Sequence, residues 1–331
     1  MSVSTILLAP LLIVGIALLG SWWFSERVSR RVEREVPPLG RFVKIDGARL
    51  HVRDSADGDP SSRERPPLVL IHGLGGNLRN FTHSLTPLLD GEFRTIAIDR
   101  LGSGYSTRPG GGGASLAEHA AMIARLIERL DLDRPVVVGH SMGGAVALRL
   151  AYDHPTCTRG LVLVAPLAGD VEGVPAMFRP LFIRSDAARR FLSRTVSTPL
   201  GMWRGQRTLA TVFYPDPVPD DFVVRGGGAL GMRRDIFRNT SMDLVGLHEG
   251  RSDVAKLSGP LCVPVAIVHG TGDVILDHET HAVRAGALLG AEVELLKGRG
   301  HMIPITAANE VAAFVASHAR RWFEREAAES A

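Results

Sequence analysis

The chain has 331 residues, enough for one large domain with an insertion or for two small ones, and its 45% hydrophobic and 22% charged composition is that of a globular protein. A formal net charge of +3, with no dense Lys/Arg tract interleaved with aromatics, argues against a nucleic-acid partner. Cys157 and Cys262 make neither a disulfide framework nor a CxxC pair and read as ordinary buried thiols.

From Met1 to Ser25 there is no charged side chain, and "ILLAPLLIVGIALLGSWWF" supplies about 19 apolar or small residues, roughly enough to cross a bilayer core. Trp22, Trp23 and Phe24 end the run, where aromatic rings favour the membrane–water interface, and Arg27, Arg30, Arg31 and Arg34 follow. A secretory signal normally carries its positive charge before the apolar run, and none stands here. "ALLGS" still offers a cleavage site, so a cleaved signal, with a periplasmic or secreted domain, is the alternative. The expectation is one transmembrane anchor over residues 1–25. The arginines after it place the following domain in the cytoplasm. Residues 26–40, ending in "VPPLG", read as a juxtamembrane linker.

"RFVKIDGARLHVRDS" predicts two short strands around an Asp46-Gly47 hairpin turn. The chain then alternates. "LVLIHG", "FRTIAIDR", "RPVVVGH" and "GLVLVAP" are strands, "SLAEHAAMIARLIERLDL" is an amphipathic helix, and "MGGAVALRLAYDHP" is a helix closed by proline. Farther on, "VPVAIVHG" and "AEVELLKG" are strands and "ANEVAAFVASHARRWFERE" is the closing helix. Near-continuous Val/Ile/Leu runs separated by helices predict a mostly parallel α/β sheet with helices on both faces, over residues 41–167 and 256–325. Residues 168–255 lack strand runs and are rich in Arg, Pro, Gly and Met. They predict short helices broken by turns, a helical cap inserted into the sheet domain.

Chemistry concentrates at "VVVGHSMGGAVAL". A residue that joins a strand to a helix in one sharp step is forced into an unfavourable backbone region, and glycines at Gly139 and Gly143 relieve the crowding. The turn presents the Ser141 hydroxyl at a helix N-terminus, where free N–H groups favour the negative charge that attack on a carbonyl creates. A serine nucleophile needs a base oriented by a carboxylate, both on later strand ends in the order Ser, acid, His. Asp273 follows the strand "VPVAIVHG" and His301 follows the last strand. Asp277 and Asp170 remain as other acids, and the bland reading of Asp273 is a turn-stabilising aspartate. His72, His140 and His269 do not follow the acid. The two oxyanion donors are expected to be the backbone amides of Met142, after the nucleophile, and of Leu74 in "HGLGG".

"HGLGG", "DRLGSGYS", "GHSMGG", "HGTGD" and "GRGHMIP" together resemble the α/β-hydrolase superfamily in its capped serine-hydrolase branch, close to monoacylglycerol lipases, over about residues 41–325. The resemblance implies an eight-stranded sheet, a Ser141–Asp273–His301 triad and a cap shaping the acyl pocket. It treats "DRLGSGYS" as a structural turn. Epoxide hydrolases and haloalkane dehalogenases of this fold carry aspartate at the elbow, so serine implies acyl transfer to water. No Cys/His cluster, HExxH, P-loop or strand-following GxGxxG stands in the chain, so neither a metal nor a nucleotide cofactor is expected. The expected activity is a membrane-anchored esterase or lipase acting on a small ester, lipid-like if the anchor and apolar cap are a guide. Carbon–carbon bond hydrolysis or a cofactor-free peroxidase-type reaction would use the same triad, and a non-catalytic ligand-binding module is the reading from another class.

Overall fold

The computed structural model describes residues 3–109, 114–169, 173–250 and 261–330. Helix α1 (Val3–Glu35) opens the chain and does not stop at Ser25, where a linker was expected. Residues 26–35 contain no Gly or Pro, and their charges pair one turn apart: Arg30 with Glu26 at 3.1 Å and Arg31 with Glu35 at 2.7 Å. Pro37 and Pro38 then end the helix. Its apolar half projects from the domain, with Leu11, Leu12, Ile13 and Ile16 all exposed. The other half packs down, so that Val32 and Val36 are buried with Tyr105 and Leu230.

The hairpin β1 (Arg41–Ile45) and β2 (Ala48–Asp54) follows, then β3 (Pro67–Ile71) and β4 (Arg94–Ile98). Helix α2 (Leu116–Arg129) starts on a capping box in which Ser115 and Glu118 bond each other's backbone N–H. Strand β5 (Val136–His140) leads straight into helix α3 (Met142–Asp153), and β6 (Gly160–Val164) follows. Helices α4 (Asp186–Arg194), α5 (Ser197–Phe213) and α6 (Ile236–Glu249) come next. The sheet domain resumes with β7 (Val265–Gly270) and β8 (Glu292–Leu296), and α7 (Ala308–Ser330) closes the chain.

The eight strands form one sheet in the order β1-β2-β4-β3-β5-β6-β7-β8. The pairs β1–β2 and β2–β4 are antiparallel and all others parallel. The apolar runs are sorted by the two-residue period of a strand. Val69, Ile71, Val137, Leu161 and Ile267 face α2 and α3, whereas Leu68, Leu70, Val138, Val162 and Val268 face α7. Both faces are therefore dry, which is why these strands read as unbroken hydrophobic runs. Strand β8 differs: it is an edge, and Glu292, Val293, Glu294 and Leu295 are exposed.

The segment expected as a cap is helical, with no strand among its described residues; 170–172 and 251–260 lie outside the description. It is fastened to the core where Phe213 and Phe222 pack on Met302 and Ile305. It also meets α1: Arg233 pairs with Glu33 at 2.9 Å, and the Arg234 N–H donates to Ser29 Oγ at 3.0 Å. Both cysteines are free, and Cys262 is exposed rather than buried, because it sits in the turn before β7 instead of on a packed strand.

The two halves of α1 should respond differently to truncation. Val32→Ala removes two buried methyl groups and should lower stability by about 2 kcal/mol, whereas Leu12→Ala, on an exposed face, should leave it unchanged. Urea denaturation midpoints of the two variants check this.

Candidate active site

Ser141 joins β5 to α3 with φ 55° and ψ −125°, a region that costs a non-glycine residue about 1–3 kcal/mol. Three hydrogen bonds hold it there. The Ser141 N–H donates to Val164 O at 3.2 Å, and Ser141 O accepts from Gly144 N at 2.8 Å and Leu167 N at 3.0 Å. The neighbouring glycines are required by space. A Cβ on Gly143 would fall on the Ile71 carbonyl, and one on Gly73 would stand 2.8 Å from Ser141 Cβ. The loop after β3 is thus pressed against the serine.

His301 follows β8, and its Nδ1–H donates to Asp273 Oδ2 at 2.7 Å, leaving Nε2 as the basic ring atom. Asp273 sits in the turn after β7. Its Oδ1 accepts from the N–H groups of Ile275 at 2.8 Å and Leu276 at 3.0 Å, and its Oδ2 also faces His269 Nε2 at 3.1 Å. Burial works to raise the Asp273 pKa, but the His301 and His269 imidazoles outweigh it and hold the carboxyl well below the usual carboxylate range. Asp273 is therefore an anion at neutral pH, suited to orient His301 and to stabilise its charged form. Asp277 does something else: its Oδ2 accepts from Thr280 N at 2.9 Å and Thr280 Oγ1 at 2.8 Å, as a local cap. Asp170 lies outside the described residues. His269, weaker by chain order, lies beneath Asp273, and the four-residue spacing in "HGTGD" was its only sign in the sequence. His140 supports the His301 loop, with its Nε2–H donating to His301 O at 3.0 Å and the two rings 4.9 Å apart.

Ser141, His301, Leu74 and Met142 line one cavity of about 130 Å³. Its other walls are largely apolar, among them Leu167, Phe178, Val212 and Leu244, the last three from the helical segment between β6 and β7. Met142 is the first residue of α3, so its N–H has no carbonyl one turn earlier to bond. Among the described residues, neither that N–H nor the Leu74 N–H donates to another backbone group. The cavity thus combines a hydroxyl, an oriented imidazole and two free amides on an apolar wall. Among the described residues no group of three or more His, Cys, Asp or Glu side chains is placed to hold a metal ion.

Residues 66–308 match the family described as alpha/beta hydrolase fold. An uncharacterized protein of Mycobacterium tuberculosis is 28% identical, with 83% of this chain and 80% of the relative covered. A 2-hydroxy-6-oxononadienedioate/2-hydroxy-6-oxononatrienedioate hydrolase of Paraburkholderia xenovorans is 25% identical over 84% of this chain and 93% of its own. Among solved structures, one described as a membrane phospholipase A superposes with a TM-score of 0.66 at 21% identity, covering 96% of this chain and 99% of that one, a likeness of fold.

Burial pushes His72 and His140 down to about 3 and His281 down to about 4. An unfolded histidine takes its proton at about pH 6.5, so between about pH 6.5 and 4 the unfolded chain binds more protons than the folded one. Stability should therefore fall as pH falls through that window. His140→Gln, which can keep the bond to His301 O, should flatten the fall by about one proton's share. Urea midpoints measured from pH 7 to 4 check this, and an unchanged slope would mean His140 titrates alike in both states.

Proposed function

The chain belongs to the α/β-hydrolase family, and from that membership we propose that it is a serine hydrolase cleaving carboxylic esters with hydrophobic acyl groups through an acyl-enzyme intermediate. One observation carries the reading: Ser141 and His301 open on the same apolar cavity, and His301 is tied by Nδ1 to a buried, ionised Asp273. Ser141 Oγ attacks the ester carbonyl as His301 Nε2 takes its proton. The carbonyl pair moves onto oxygen, where the Leu74 and Met142 amides receive it. Each such donor is worth about 3–4 kcal/mol of transition-state stabilisation. Asp273 stabilises the imidazolium, which then protonates the leaving alcohol as the C–O bond breaks. Water, deprotonated by the same imidazole, releases the acid and restores Ser141.

The apolar walls suit a hydrophobic acyl group. A cavity of about 130 Å³ is below the ~300–1,000 Å³ of drug-sized pockets, so short and medium chains fit it as it stands. Carbon–carbon bond hydrolysis is the second reading, favoured by the Paraburkholderia relative, a hydrolase of 2-hydroxy-6-oxo dienedioates and trienedioates. For localisation, one helix among the described residues is long and apolar enough to cross a membrane, over Pro10–Glu35. Trp22, Trp23 and Phe24 are exposed on it, and the Arg27 guanidinium lies 4.0 Å from the Trp23 ring centroid. We read it as a single-pass anchor with the hydrolase domain in the cytoplasm. A reporter fused after residue 40 that is active only in the periplasm would overturn that orientation.

A fluorophosphonate probe should label the wild-type chain and not Ser141→Ala. Competition by graded esters should be strongest with short and medium acyl chains. Asp273→Asn should lower kcat by about 10³- to 10⁴-fold with the fold intact. Turnover of a ring-cleavage dienoate in preference to every ester would instead favour the carbon–carbon reading. A folded chain inert to the probe would sink the nucleophile assignment and leave a binding module.

A further inference from the structure

The turn after β4, "DRLGSGYS", takes no part in the mechanism above, yet it carries Arg100, the largest side chain buried to less than 2% exposure among the described residues. Placing a guanidinium there is unfavourable unless every donor is used. Its Nε donates to His72 O at 3.0 Å, its Nη2 to Gly73 O at 2.9 Å, and its Nη1 to Asp243 Oδ2 at 2.9 Å. The Arg100 backbone N–H donates to His72 Nε2 at 3.0 Å. That bond makes Nε2 the acceptor and Nδ1 the donor of a neutral His72, and Nδ1 lies 2.8 Å from the same Gly73 O.

Three donors therefore converge on the Gly73 carbonyl: Arg100 Nη2, His72 Nδ1 and, within the turn itself, the Gly76 N–H at 3.3 Å. In a trans peptide the N–H of the next residue points opposite the carbonyl, so what holds Gly73 O also sets the direction of the Leu74 N–H. We propose that Arg100 is a positioning residue for oxyanion stabilisation: anchored on Asp243 of helix α6, its fork grips the loop after β3 and aims the Leu74 amide into the cavity. This rests on the ester-hydrolase reading. Asp243 is wholly buried, and Leu244 and Leu247 of the same helix line the cavity. The helix that lines the cavity is thus the one that orients the amide, one ion pair and one peptide group away.

The same cluster supplies a variant that should fold. Asp243 also pairs with Arg108 and faces His119 Nε2 at 3.2 Å. Burial pushes His119 down, so at neutral pH it is uncharged and the cluster sets two guanidinium groups against one carboxylate. Arg100→Met fills similar space and leaves the Arg108–Asp243 pair balanced. Arg100→Lys keeps the charge but gathers its three donors on one nitrogen, without the spread of the fork that serves both carbonyls and Asp243.

The probe is an alkyl trifluoromethyl ketone. Ser141 Oγ bonds to its carbonyl carbon, the Oγ proton passes to His301, and the carbonyl pair becomes an alkoxide in the oxyanion site. In both variants kcat for a short ester and affinity for this ketone should fall in parallel by about 10- to 100-fold, short of the 10²- to 10³-fold for losing a donor outright, while KM stays near its wild-type value. Should Arg100→Met not fold, Arg100→Lys decides. Unchanged kcat and ketone affinity in a folded variant, or a rise in KM alone, would overturn the proposal. A wild-type chain inert to fluorophosphonate would fell the ester reading and the relay with it, whereas a labelled wild type beside insensitive variants fells the relay alone.

Discussion

At the carboxyl end of β5 the backbone of Ser141 is kept in a conformation that an L-residue avoids, by hydrogen bonds to β6 and to the loop after it. The strain persists because it is over-determined. The helix that follows must pass within contact of the loop after β3, and only residues without a β-carbon permit the approach at Gly73 and Gly143. Because those segments touch, Ser141, Met142 at the start of α3 and Leu74 line one cavity. A sheet dry on both faces is the rigid support this needs.

Around that centre, burial sets charge. Asp273 is ionised although buried, because two backbone N–H groups and two imidazoles face it. His72, His140 and His281 are neutral because burial leaves them too little compensating charge. The arginines are treated in two ways. On the surface they form pairs such as Arg320 with Glu92, worth little. Arg100 is enclosed, and its pair with Asp243 ties the helical segment between β6 and β7 to the loop after β3.

Helix α1 joins two physical regimes in one element. Its first part is apolar and exposed, and its last turns are charged and lie against the domain. The sequence marks the change in composition at Glu26 but not the continuity of the helix. A charged stretch ending in proline reads as a linker when its partners are unseen. Those partners, Tyr105, Leu230 and Arg233, lie 69 or more residues away from Val36, and no local pattern encodes such contacts.

The strands, their direction and the glycine turn at Ser141 were legible in the sequence, because apolar periodicity and the absence of a β-carbon are local properties of a chain. The order Ser141, Asp273, His301 was legible too, because strand ends are marked by turn residues. Turn position favoured Asp273 over Asp277 as the partner of the histidine, but the sequence does not show what either carboxylate bonds. Only the fold turns Asp273 toward the His301 and His269 rings, while Asp277 caps its own turn. Arg100 was likewise one arginine among many until folding closed a helix 143 residues away over it. Chain pattern determined the scaffold and the types of reactive group. Tertiary packing decided which of them are dry and paired, because burial and opposite charge depend on neighbours that are distant in sequence.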